Sequence, residues 1–146
     1  MEKRFENFTV SILKLSKLVQ KIKNYEMHSF GLKAVHVMCL YYLKNSERGL
    51  TAAEVSRLTL EDKAAVSRAF AQMVKNGYIR YDGDKKYNAL ATLTQEGRKV
   101  ADYIDARAEG AVNAGGGGLS EKERENFYAA LDSIAERLEK YCGDLQ

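Results

Sequence analysis

LTAAEVSRLTLEDKAAVSRAFAQMVKNGYIRYDGDKKYNALATL, residues 50–93, decides how the rest of the chain reads. Thr51 followed by Glu54 is a capping box, in which the hydroxyl accepts from the Glu54 N–H while the carboxylate reaches back. It predicts a helix from Ala52 to about Leu58. A second helix starts between Leu60 and Lys63, because Thr59 and Asp62 both offer an N-cap oxygen, and it runs to Asn76. Val66, Phe70, Met73 and Val74 give it an apolar stripe at helical spacing. Gly77 suits the left-handed C′ position that stops a helix at little steric cost. Tyr78–Tyr81 and Tyr87–Leu93 then read as two strands around the polar turn Asp82-Gly83-Asp84-Lys85-Lys86. Helix, turn, helix, hairpin is the order of a winged helix-turn-helix.

The face of the second helix opposite its stripe carries Lys63, Ala64, Ser67, Arg68, Ala71 and Gln72. Small residues there let the helix backbone approach a surface closely. A DNA major groove admits such a helix, with Arg bidentate to guanine and Ser or Gln on base edges or phosphates. The plain reading of the same face is a solvated one. The hairpin tip adds Lys85 and Lys86, which suit a minor groove or a row of phosphates. Helix cations and tip cations follow one another in the order a DNA-binding lobe requires.

The segment AAVSRAFAQMVKNGYI (64–79), the wing after it and Leu93-Thr94-Gln95-Glu96-Gly97-Arg98 resemble the MarR (multiple antibiotic resistance regulator) family of winged-helix transcription factors. The likeness extends through long helices on both sides and so over nearly the whole chain, as one domain, 1–146. It implies a winged-helix lobe at 32–97 and a helical dimerisation region formed by 1–31 and 98–146. It also implies a homodimer on double-stranded DNA that reads a pseudo-palindromic operator, and a repressor role. A small-molecule or redox signal would then alter the separation of the two lobes. The family's signal pocket lies between the terminal helices and the lobe. Tyr25, His28 and Tyr42 are the candidates for lining it and would suit a small aromatic acid; the opposing reading makes them core. The family wing carries an Asp-x-Arg pattern, whereas Asp84-Lys85-Lys86 has lysine in the arginine's place on a shorter loop. Lysine is a hydrated point charge without a planar fork, so weaker wing contacts are expected, from either lysine.

The flanks fit this plan. Phe5, Phe8, Ile12, Leu15, Val19 and Ile22 step by three and four along a helix of about twenty residues. Phe127, Leu131, Ile134, Leu138 and Tyr141 do the same in a C-terminal helix opened by the capping box Ser120–Glu123. The two seams can cover each other within one chain, or a second copy can cover them. The second arrangement is expected, because one chain has little other apolar surface for two long seams. Gly31–Lys44 reads as a further helix, apolar almost all round, with Tyr41 among its packed residues. Thr94 opens another that ends near Asn113 or Ala114. Gly115–Gly118 reads as a loop, since four glycines lose the most backbone entropy on ordering.

At 146 residues, 45% hydrophobic and 29% charged, the chain can bury a core without disulfide or metal staples. Residues 1–50 hold nine Lys and Arg against four acids, 51–99 nine against six, and 100–146 five against ten. The net +3 therefore divides into a basic part suited to a polyanion and an acidic part suited to facing away from it. Cys39 and Cys142 are too few and too far apart for a disulfide framework or a zinc site. His36 and Cys39, one helical turn apart, read as core rather than as metal ligands. No signal core or membrane-length apolar run is present, and a reducing cytoplasm is the expected setting. No nucleophile elbow, zinc-protease motif, P-loop or dinucleotide fingerprint occurs, so catalytic residues, metal and cofactor are all expected to be none. A winged-helix protein-interaction module and a non-specific architectural DNA binder share the same sequence features and remain the competing functions.

Overall fold

The computed structural model describes residues 3–83 and 88–146; Lys85 and Lys86 lie outside them. The order is α1 (Arg4–Met27), a 3-10 turn (His28–Phe30), α2 (Ala34–Lys44), α3 (Ala52–Thr59), α4 (Lys63–Lys75), β1 (Ile79–Tyr81), β2 (Ala91–Leu93), α5 (Gln95–Gly116) and α6 (Glu121–Asp144). This is the expected class, mostly α with a small hairpin. Its contacts group residues 1–107 in one unit and 108–146 in another.

In the first unit α2, α3 and α4 converge on a core whose fully buried side chains include Met27, Leu40, Leu43, Val55, Val66, Phe70 and Met73. Truncating a residue such as Phe70 in that setting costs about 3–5 kcal/mol. Only the last residue of α1, Met27, enters this core. The α2 helix begins at Ala34, three residues later than the sequence suggests. Gly31 takes a left-handed φ of 68° that closes the 3-10 turn, and Asn24 Oδ1 accepts from the Ala34 N–H at 2.8 Å. At the other end of α2, Lys44 bridges Asp102 at 2.8 Å and also pairs with Asp105, fastening the helix to α5. Tyr41, expected in the core, is 42% exposed near the C-terminal end of α2, although Ala34 and Val37 earlier on the same side are buried.

The hairpin pairs Ile79 with Leu93, Arg80 with Thr92 and Tyr81 with Ala91, antiparallel. Both strands are shorter than expected. Tyr78 is taken up by the end of α4, and the return strand starts at Ala91, after a hydrogen bond from the Asp82 N–H to the Leu90 carbonyl at 2.8 Å. Leu50 adds a bridge on the other edge, exchanging hydrogen bonds with Ala91 at 3.1 and 2.8 Å.

His36 and Cys39 are core residues. Lys33 N–H donates to His36 Nδ1 at 2.9 Å, so the ring serves as an N-terminal acceptor for α2, and burial lowers its pKa. The Cys39 thiol donates to the Val35 carbonyl at 3.2 Å and is pushed up to about 12 by burial.

In the second unit α5 continues through Gly115 and Gly116, where a loop was expected. Arg124 supplies the reason. Its Nε and Nη2 donate to the Gly116 carbonyl at 3.2 and 2.8 Å, satisfying a helix end that would otherwise fray. The α6 helix starts with its capping box in place, Ser120 N–H on Glu123 at 2.7 Å and Glu123 N–H on Ser120 at 3.2 Å. None of its residues is buried. The α1 seam is equally open, with Phe8, Ile12, Leu15, Val19 and Ile22 all exposed.

Candidate nucleic-acid interface

Three local devices fix α4. Before it, α3 carries the predicted capping box: Thr51 N–H donates to Glu54 at 2.9 Å and Glu54 N–H to Thr51 Oγ1 at 3.1 Å. Arg48 holds the same Glu54 carboxylate at 2.6 Å. Between the helices Leu60 takes a left-handed φ of 58°. Side chains lock that turn: Ser56 Oγ donates to the Glu61 carbonyl at 2.6 Å and Thr59 Oγ1 to the Val55 carbonyl at 2.8 Å. Asp62 is then the N-cap, accepting from the Ala65 N–H at 3.2 Å.

The far end of α4 closes in a Schellman motif. Gly77 N–H donates to Val74 O at 3.0 Å and Tyr78 N–H to Met73 O at 2.9 Å, with Gly77 at φ 78°. The chain returns to this end after the hairpin. Thr94 Oγ1 donates to the Gly77 carbonyl at 2.5 Å and accepts from the Gly97 N–H at 3.1 Å, while Thr94 N–H donates to Tyr78 O at 3.0 Å. Thr94 is thus the predicted cap of α5 and also a tie between α5 and the end of α4.

The stripe that α4 buries is Val66, Ala69, Phe70 and Met73. Val74, expected in it, is 39% exposed. Eight residues on from Val66 the helix has turned about 80°, which carries Val74 past one edge of the stripe, while Ala69 is buried at the opposite edge. Lys63, Ala64, Ser67, Arg68 and Ala71 share the exposed face. Gln72 sits half-buried at its C-terminal edge, where its amide donates to Asn76 Oδ1 at 2.9 Å. The α4 site residues therefore lie together, with Gln72 tied back to the helix end. The strand residue Arg80, which sequence reasoning passed over, is also exposed.

A second feature lies at the C-terminal end of α1. Asn24, Tyr25, Glu26, His28, Ser29, Tyr103 and Arg107 line an open cleft of about 570 Å³. Tyr25 and His28 meet there, and neither is core: Tyr25 is 77% exposed. Tyr42 does not line it and instead packs edge-on against Tyr41 at 5.3 Å. The charged centre of the cleft is a group the sequence did not reveal. Glu26 accepts from Tyr103 Oη at 2.9 Å and from Arg107 Nε at 3.0 Å, and the Arg107 guanidinium lies 5.4 Å from the Tyr103 ring centre. The Tyr103 hydroxyl, and then the Arg107 guanidinium, hold the Glu26 carboxyl below the usual carboxylate range against an opposing push from burial. These partners stand 77 and 81 residues from Glu26, beyond any local pattern.

Among the described residues no group of three His, Cys, Asp or Glu is placed to hold a metal ion, and no helix is long and apolar enough to cross a membrane.

Residues 30–86 match the model of the MarR family. Three solved structures share the fold across most of both chains. A MarR protein from Peptoclostridium difficile is 18% identical with a TM-score of 0.82, covering 96% of this chain and 92% of that one. A MarR family chain from Listeria monocytogenes, solved complexed with 26mer DNA, is 21% identical with a TM-score of 0.80, covering 89% and 87%. Staphylococcus aureus MarR in complex with salicylate and kanamycin is 15% identical with a TM-score of 0.79, covering 92% of each. No curated protein matches the chain.

Proposed function

We propose that this chain, a member of the MarR family by the match across its winged-helix lobe, is a sequence-specific DNA-binding transcriptional regulator that acts as a homodimer and a signal-responsive repressor. The observation that carries the reading is the α4 surface: Lys63, Ala64, Ser67 and Arg68 exposed on one face of a helix fixed at both ends. Arg68 reads a base edge, Lys63 and Ser67 take backbone and groove contacts, and Ala64 lets the helix sit deep. Gln72 contributes at the edge once its amide leaves Asn76. Lys85 and Lys86 contact phosphates or the minor groove from the wing. The Listeria relative solved with DNA supports placing this face on a duplex.

A second copy covers the open seams of α1 and α6, setting two α4 helices in successive major grooves about 34 Å apart on a pseudo-palindrome. The effector site is the cleft around Tyr25, His28 and Arg107, and the salicylate complex of the Staphylococcus aureus relative supports a small aromatic acid there. Asn24 gives the cleft a route to the lobe, because its Oδ1 caps the first turn of α2. No catalytic step is assigned.

The test is fluorescence anisotropy of the full chain on duplex from its own upstream region, beside a scrambled duplex, over a range of salt. Specific binding on the order of a thousandfold tighter at physiological salt is expected. Equal affinities that fall together as salt rises would replace this reading with a non-specific architectural binder.

A further inference from the structure

Leu60 combines two local penalties in one residue. It is 89% exposed, so its side chain gains nothing from the core, and its φ of 58° is a region a glycine enters freely and a leucine enters only at a cost. An exposed leucine alone is ordinary. One whose backbone is also strained, in a turn locked by Ser56 and Thr59, is held outward against its own preference. Leu60 stands two residues before the Asp62 N-cap of α4, and it is exposed, as are Lys63 and Ala64 in the first turn of that helix. In a helix-turn-helix the N-terminal end of the second helix reaches the base edges first. The apolar group that a major groove presents there is the C5-methyl of thymine.

We infer that Leu60 is a specificity-determining residue that packs on a thymine methyl in each half-site. The assignment rests on α4 reading DNA as a recognition helix. An uncharged apolar group favours thymine over cytosine by the methyl it covers, and it needs none of the hydrogen-bond geometry that Arg68 requires. A buried methyl contributes about fourfold in affinity.

The experiment first lets the full-length protein enrich its preferred sequence from random duplexes. Each thymine of that duplex is then replaced singly by deoxyuridine, which removes only the C5-methyl. The wild type should lose about fourfold at one position per half-site. Leu60→Gly, which relieves the backbone strain and so keeps the fold, should bind the thymine and uracil duplexes equally while still preferring the selected duplex to a scrambled one. Indifference of the wild type at every thymine, a selected half-site without thymine, or a full uracil penalty retained by Leu60→Gly would each overturn the assignment and leave α4 base reading intact. Enrichment of no sequence at all would remove the base-reading function, and this assignment with it.

Discussion

Gly97→Ala tests the joint between the end of α4 and the start of α5. By helix propensity alone the change should help, since alanine is favoured over glycine in a helix by about 1 kcal/mol. The structure gives the opposite sign. A Cβ at residue 97 would lie 1.8 Å from the Tyr78 carbonyl oxygen, 2.8 Å from its carbonyl carbon and 3.1 Å from its Cα, all backbone atoms. Relief requires α5 to withdraw by more than an ångström. That movement breaks the Thr94 N–H bond to Tyr78 O at 3.0 Å and the Thr94 Oγ1 bond to Gly77 O at 2.5 Å. Overpacking costs about 1–3 kcal/mol and each lost hydrogen bond about 1, so after the propensity gain the net destabilisation is about 2–4 kcal/mol. Urea unfolding, with all proteins at one concentration because association shifts apparent stability, measures it directly. In thermal melts the same loss appears as a fall in Tm of roughly 5–15 °C. Gly110→Ala is the control, in the same helix with nothing within 4 Å of the added Cβ, and it should stabilise by about 0.5–1 kcal/mol. A neutral or stabilising Gly97→Ala would refute the reasoning.

Acid should weaken the lobe through His36. Its folded pKa is depressed below 6.5, so the unfolded chain takes the proton first and stability falls as pH drops from about 6.5 towards the folded pKa. His36→Gln keeps an acceptor at the third helical position without titrating, and should flatten that part of a urea-midpoint profile between pH 8 and 5. Sedimentation at micromolar concentration should give twice the chain mass of 16.4 kDa, and Leu15→Glu with Leu138→Glu should return it to one. A wild type already at 16.4 kDa would mean that the seams do not bring two copies together. Arg68→Ala should relax discrimination at one position per half-site at a cost of about 1–3 kcal/mol on the preferred duplex, whereas Lys86→Ala should weaken all duplexes alike and reduce the salt slope by about one. Equal losses for Arg68→Ala on preferred and scrambled DNA would remove its base-reading role.

The parts of this fold that sequence reading recovered are those made within a few residues. The Thr51–Glu54 and Ser120–Glu123 boxes, the Asp62 cap and the Gly77 stop each use partners within one helical turn, and they set where α3, α4 and α6 begin or end. The exposed side of α4 followed from the same helical period, although Val74, about 80° from Val66, fell outside the stripe and Ala69 joined it at the other edge. What escaped notice depends on distant partners. Gly115 and Gly116 are helical because Arg124 returns to cap them. The Glu26–Tyr103–Arg107 group and the Lys44 bridges form only when α5 lies against α1 and α2. Tyr25 and His28, three residues apart in sequence, both line the cleft, whereas its charged centre joins residues far apart in the chain.

The close approach of Gly97 to Tyr78 also makes α4 a lever arm. With 13 residues at about 1.5 Å each, the helix reaches roughly 20 Å from this hinge to its N-terminal end. Val66, Phe70 and Met73 pack α4 into the core, so a rotation of about 10° about this contact that carried the lobe with it would move that end through roughly 3.4 Å, the rise of one base step. Small rotations at the root of α5 are thus enlarged over the length of α4.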